Sequence, residues 1–216
     1  MTDRPILFSG PMVRALLDGR KTQTRRVLSS DKPNSLFNGQ WSDGYVLDPG
    51  NASWREQDVR FHVGDRLWVR ESLVSASNDQ GRRWYSYAAD GKDVWPLTEW
   101  LKARDSIPSI HMPRWASRMT LAVTDVRVQR LQEIGEEDAI AEGCRPFFDH
   151  ENPREHVGPN GTVHTMAPLR GPLDAFRNLW DSLNAERGFG WEANPWVCAI
   201  GFDVKRGNID NLEASS

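Results

Sequence analysis

Between Met119 and Leu131 apolar side chains alternate with polar ones, through Leu121 and Val123 and again through Val126 and Val128, with a break at Thr124-Asp125 as a bend or bulge would make. A half-buried strand of this length requires other strands beside it. Thr22 to Leu28, Leu67 to Glu71, Trp84 to Ala88 and Trp196 to Val204 supply them, in short runs of β-branched and aromatic residues. Helical spacing follows Pro11, where Met12, Ala15, Leu16 and Leu17 recur, and returns at Glu136 to Gly143 and Leu173 to Arg187. In the last of these, Phe176, Leu179, Trp180 and Leu183 share one face. Residues 29–60 are rich in Ser, Asp, Asn, Gly and Pro and read as an excursion from the core. Gly91 to Ile110 reads as a second one, with a short helix expected at Thr98 to Ala103. Strands separated by short helices and long loops, without regular β-α alternation, imply an α+β domain built on a small β-barrel. At 216 residues the chain suits a single domain with insertions and can bury a real core.

Chemistry concentrates in Gly19-Arg20-Lys21-Thr22-Gln23-Thr24-Arg25-Arg26, directly after the first helix. Gly19 suits a left-handed C-terminal position, so a tight turn should follow, then a strand. Cations just past a helix C-terminus complement its partial negative charge, and that alone would account for them. The sharper reading pairs Lys21 with Thr24, three residues apart across the turn. A threonine hydroxyl becomes a nucleophile only when a base takes its proton, and a lysine serves only when its amine is partly neutral. Burial and the nearby Arg20, Arg25 and Arg26 would push the amine that way.

The formal charge of −3 hides an asymmetry. Residues 1–130 carry 20 Lys or Arg against 15 Asp or Glu, whereas residues 131–216 carry 7 against 15. Arginine outnumbers lysine 22 to 5, which favours planar, bidentate and stacking recognition. Arg66-Leu67-Trp68-Val69-Arg70, Arg82-Arg83-Trp84-Tyr85 and Arg114-Trp115-Ala116-Ser117-Arg118 interleave arginine with aromatics. Such segments fit a binder of nucleobases or single strands, and equally a core lined with salt-bridged arginines. The small net charge argues against extensive contact with a duplex backbone.

Other chemistries find little support. Cys144 and Cys198 form no CxxC, and the spacings of His150, His156 and His164 place no two ligands on one helical face, so a solvated loop is expected there and no metal. There is no GxxxxGK[ST], GxGxxG or GxSxG, and no cofactor is expected. The absence of a long apolar run or a signal-peptide core leads to the expectation of a soluble, cytoplasmic protein that does not contact membranes.

The stretch Pro5-Ile6-Leu7-Phe8-Ser9-Gly10-Pro11-Met12-Val13, followed by the basic turn, resembles the ASCH domain group, which is related in fold to PUA domains. Gly64-Asp65-Arg66-Leu67-Trp68-Val69-Arg70-Glu71, the strand from Thr120 to Val128 leading into Leu131 to Gly143, and Asn194-Pro195-Trp196-Val197 extend the resemblance over most of the core. The chain resembles in particular the longer ASCH-like proteins often found in phages and prophages. The resemblance implies a β-barrel flanked by helices, with a cleft where PUA-like domains contact nucleic acid. It also implies an activity, because small bacterial members are amidohydrolases that remove acetyl from the exocyclic nitrogen of acetylcytidine. By that carry-over Lys21 is the proton acceptor, Thr24 the nucleophile and Glu71 the proton donor. Read on its own, Glu71 beside Arg70 fits a structural ion pair as well. Trp68, Tyr87, Arg114, Trp115 and Arg118 are the candidates for stacking on and hydrogen bonding a base, with Arg20, Arg25, Arg26 and Arg70 as further cationic contacts. The compact hydrolases are about half this length, so insertions near 30–60, 76–112 and 144–172 have no counterpart in them, and residues 207–216 are expected as a flexible tail. The expected partner is a modified nucleoside or RNA, or single-stranded nucleic acid. A non-catalytic RNA-binding module, its basic turn gripping a phosphate, and a ribonuclease are the alternatives.

Overall fold

The computed structural model describes residues 2–28, 34–77, 80, 83–94, 105–148, 154–157, 163–166 and 168–212. In chain order the elements begin with strand β1 (Asp3–Leu7), helix α1 (Gly10–Leu17), strand β2 (Gln23–Val27) and the short helices α2 (Asp43–Leu47) and α3 (Ala52–Asp58). Strands β3 (Arg66–Arg70), β4 (Leu73–Ser77), β5 (Arg83–Tyr87) and β6 (Ser106–Ile107) precede the long strand β7 (Met119–Arg130). Helix α4 (Glu136–Ala141) follows, then the short strands β8 (Phe147–Phe148), β9 (Arg154–Val157), β10 (Val163–Met166) and β11 (Leu169–Arg170). Helix α5 (Pro172–Asn184) and strand β12 (Trp196–Arg206) complete the order.

The chain divides into two compact units, each assembled from separated segments. The first comprises residues 1–22, 59–127 and 200–216; the second comprises 23–58 and 128–199.

In the first unit the main strands run in the order β1-β3-β7-β12. β1 lies parallel to β3, with Ile6 opposite Val69, and β3 lies antiparallel to β7, with Leu67 opposite Leu121. Leu67, Trp68 and Val69 are consecutive and all buried, the mark of a strand covered on both faces. Helix α1 buries Val13, Ala15 and Leu16. A separate three-stranded sheet, β5-β4-β6, covers a cluster of Leu73, Tyr85, Tyr87, Val94, Ile107, Met112 and Ala116. Part of the 76–112 segment, expected as an insertion, is therefore sheet with a core of its own.

In the second unit the order is β7-β12-β2, and the Leu28 N–H donates to the Trp196 carbonyl. Its core joins Leu131, Ile134 and Ala139 to Phe176, Trp180 and Val197. Helix α5 thus buries the face that carries Phe176 and Trp180, as its spacing predicts, while Leu183 from the same expected face stays exposed.

The α+β class holds, and among the described residues no pairing closes the main strands into a barrel. Residues 43–58, expected as loop, contain α2 and α3. They form helices despite poor propensity because the Ser42 Oγ accepts from the Tyr45 N–H and Arg55 donates to the Val46 and Asp48 carbonyls, satisfying groups at the helix ends. β9 and β10 form an antiparallel ladder with His156 opposite His164, where a solvated loop was expected; His150 and the expected helix at 98–103 lie outside the described residues. Residues 207–212 of the expected tail are anchored. The Gly207 N–H donates to the Arg118 carbonyl, and the Asn208 side chain donates to the carbonyls of Arg114, Trp115 and Ser117, while Ile209 is fully buried. Residues 213–216 lie outside the described residues. No helix among the described residues is long and apolar enough to cross a membrane.

Candidate active site

Helix α1 ends as the sequence requires. Gly19 takes φ 71°, in the left-handed region, and nothing lies within 4 Å of where its Cβ would be, so the demand for glycine here is conformational. The Ala15 carbonyl then accepts from both Arg20 N–H (2.9 Å) and Lys21 N–H (3.1 Å), a tight turn that sends Lys21 inward. Lys21 is 0% exposed, and its Nζ lies 5.7 Å from the centroid of the Phe8 ring. The Phe8 N–H donates to the Arg70 carbonyl at 3.1 Å, so one residue touches both the lysine and the strand end that carries Glu71. Arg20 turns outward into a surface ion pair with Asp18, the ordinary fate of a cation at a helix end.

Glu71 follows β3 and is 1% exposed. Its two carboxylate oxygens accept from Arg118 Nε and Nη2, each at 2.8 Å, and its N–H donates to the Met112 sulfur. The third nitrogen of the same guanidinium, Nη1, donates to both oxygens of Asp90, at 3.0 and 2.8 Å. The Arg118 guanidinium lies 3.8 Å from the centroid of the Tyr87 ring, and the Tyr87 hydroxyl donates to the Ala116 carbonyl. Burial pushes the Glu71 carboxyl above the usual carboxylate range; Arg118 opposes this without cancelling it, and Asp90 adds to it. For Asp90 the balance is reversed. Burial works to raise its value, but hydrogen bonds from Arg118 and the Lys92 N–H, together with the charges of both residues, prevail and hold it below its ordinary value. Burial pushes the Tyr87 phenol up to about 12. Within the first unit the chain thus holds an enclosed amine and an enclosed carboxyl that is harder to ionise than a surface glutamate.

The remaining expected residues separate into distinct surroundings. Thr24 lies on β2 in the second unit, 2% exposed. Arg25, beside it, is enclosed and donates to Asp138 (2.6 Å) and Glu142 (3.1 Å) on and just after α4, so its guanidinium serves as the core cation that the composition also allowed. Arg26 is half-buried on the same strand. Trp68 is 8% exposed in the centre of β3, a core tryptophan, with Arg70 over its ring at 5.2 Å. Arg70 also donates to the Ile110 carbonyl. Arg114 is tied to Asp3 and Asp210, and Trp115 packs on the cluster beneath β4. Of the residues expected to touch a base, Arg118 and Tyr87 are the ones that stand with Glu71. Phe8, Asp90 and Met112 were not singled out by the sequence reading. For Asp90 a signal existed, since Asp90-Gly91 is a turn dipeptide closing β5. Among the described residues no three His, Cys, Asp or Glu side chains are grouped to hold a metal ion.

No family model matches the chain, and no curated protein matches it. Among solved structures it is similar to an ASCH domain from Lactobacillus crispatus JV V101, at 12% identity over 94% of this chain and 79% of that one, with a TM-score of 0.39. It is also similar to a DUF984 protein from Enterococcus faecalis V583, at 10% identity over 99% of this chain and 86% of that one, with a TM-score of 0.41. Likenesses of this order assign neither residue roles nor an activity.

Proposed function

We propose that the chain is an ASCH-type amidohydrolase that removes an acyl group from the exocyclic amine of a modified nucleobase or nucleoside, with acetylcytidine as the leading substrate. The observation that carries the reading is Glu71: a carboxyl 1% exposed, in which burial outweighs an arginine fork, keeps its proton at a higher pH than a surface glutamate and can donate it. Lys21, also enclosed, is the proton acceptor, and Thr24 the nucleophile. The Thr24 oxygen attacks the acyl carbonyl while its proton passes to the Lys21 amine. Collapse of the tetrahedral intermediate breaks the carbon–nitrogen bond, and the departing exocyclic amine takes the Glu71 proton. Water then attacks the threonyl ester, giving a proton to the Glu71 carboxylate, and the Lys21 ammonium returns its proton to the departing threonine oxygen, which releases acetic acid and restores all three groups.

Acetylcytidine turnover, followed by absorbance or chromatography, tests this in the wild type beside Lys21→Ala, Thr24→Ala and Glu71→Gln. Loss of a single general acid should cost about 10²–10⁴-fold. Turnover by the wild type that fails in all three supports the roles. A folded wild type without turnover rejects acetylcytidine and puts RNA binding first; that binding would weaken as salt rises, and shortening of an RNA ladder would instead indicate the ribonuclease.

A further inference from the structure

One guanidinium faces two carboxylates. Arg118 meets Glu71 with Nε and Nη2 and Asp90 with Nη1, and its face is fixed against the Tyr87 ring. Arg118 is shared between the two, and the exposed Lys92 ammonium lies 4.0 Å from Asp90, so one carboxylate takes up a proton before the other as pH falls. Exposure decides which. The Asp90 side chain is 20% exposed and also accepts from the Lys92 N–H, whereas the Glu71 side chain is 2% exposed. Asp90 therefore remains the anion as pH falls, and Glu71 is the first of the two to take a proton. Both Glu71 oxygens already accept from Arg118, which leaves the proton the lone pairs directed away from the guanidinium.

We infer that Arg118 and Asp90 are positioning residues for Glu71: Asp90 fixes the guanidinium, and the guanidinium aims the carboxyl so that its proton is presented on the edge turned away from Arg118. The destination of that proton rests on the hydrolase reading; its position does not. The charged and titratable groups around Glu71 are Arg118 ahead of β7, Tyr87 on β5, Asp90 in the turn after β5 with Lys92 4.0 Å from it, its chain neighbour Arg70, and Lys21 by way of Phe8. Tyr87 stays neutral throughout the range in which Glu71 titrates.

The test reads the Glu71 proton itself. Protein with 13C-labelled glutamate carboxyls is titrated by NMR, with the Glu71→Gln spectrum assigning the signal. Asp90→Asn removes an anion that opposes charging of Glu71 and frees the guanidinium for it, so the Glu71 midpoint falls. Arg118→Met removes the charge that favours the anion, so the midpoint rises. Opposite movements are the expected result; movements in one direction, or none, overturn the inference. Where Arg118→Met does not fold, as circular dichroism shows, Asp90→Asn decides alone, by a fall that supports the inference or by a rise or no change that overturns it. On acetylcytidine the alkaline limb of kcat/KM should follow the same shifts, with kcat for Asp90→Asn lower by about tenfold and KM changed less. Opposite midpoint shifts without wild-type turnover would remove the hydrolase reading and leave the positioning intact. Turnover with unmoved midpoints would do the reverse.

Discussion

Replacing Arg25 by methionine keeps the length of the side chain and deletes a guanidinium that is 0% exposed. Two carboxylates lose one partner each: Glu142, whose side chain is 4% exposed and which still feels the charge of Arg26, and Asp138, at 22%. Removing one member of a buried pair costs about 3–5 kcal/mol, because a charge is left without compensation. Here the low end applies. Asp138 keeps access to water, and the buried Arg25 Nε has no hydrogen-bond partner, a defect worth about 1–3 kcal/mol that the substitution removes. A loss of about 3 kcal/mol follows, which for a chain of this size lowers Tm by about 6–12 °C. Urea and thermal unfolding followed by circular dichroism would measure it. Arg25→Met with Glu142→Gln should recover about 1–3 kcal/mol, the coupling expected for residues in direct contact. On the hydrolase reading, the KM for acetylcytidine should change by less than about twofold, since the guanidinium is taken up by carboxylates of its own unit. A variant less than about 1 kcal/mol destabilised, with KM raised about tenfold, would return Arg25 to the substrate and refute this account.

Glu71→Gln separates the catalytic from the structural reading by stability alone. A carboxyl whose folded pKa is raised lowers stability as pH rises from the unfolded value through the folded one, so the neutral amide should equal or exceed the wild type at pH 7–8, and the difference should shrink toward pH 4. A loss above about 2 kcal/mol in urea unfolding at pH 7 would assign Glu71 to a structural ion pair. Asp3 has the opposite sign. Burial works to raise its pKa, but hydrogen bonds from Arg66 and Arg114 prevail and hold it low. Its contribution is therefore complete above about pH 4 and disappears as pH falls through the lower folded value. The urea midpoints of wild type and Asp3→Asn should differ at pH 7 and 5, and the gap should narrow as pH falls below about 4; a constant gap would contradict the assignment.

Much of this arrangement is legible in local sequence. Pro11, the spacing of Met12, Ala15, Leu16 and Leu17, and Gly19 specify α1 and its turn without help from the rest of the chain, although the helix buries Val13 with Ala15 and Leu16; the inward path of Lys21 follows from that turn. The strands at 66–70, 119–130 and 196–206 appear where β-branched and aromatic residues alternate or cluster. What sequence could not supply is the partner of each charge. Arg25 and Arg118 look alike as isolated arginines, yet one meets Asp138 and Glu142, more than a hundred residues on, and the other meets Glu71 and Asp90. The aromatic richness of Arg66 to Arg70 suggested a stacking platform, whereas Trp68 is central in a strand covered on both sides. The helices at 43–58 escaped because their ends are held by local side-chain hydrogen bonds and not by a periodic apolar stripe.

The Phe202 N–H donates to the Thr22 carbonyl, and residues 200–206 belong to the same compact unit as residues 1–22. Translation therefore separates partners in time. After Thr22 emerges from the ribosome, 180 more residues must be made before Phe202 follows, about 10–35 s at ordinary elongation rates. Through that interval Val13, Leu16 and Lys21, all destined for the interior, wait without the strand that completes their unit. Premature termination anywhere before residue 200 therefore leaves the lysine turn without the strand segment that completes its unit.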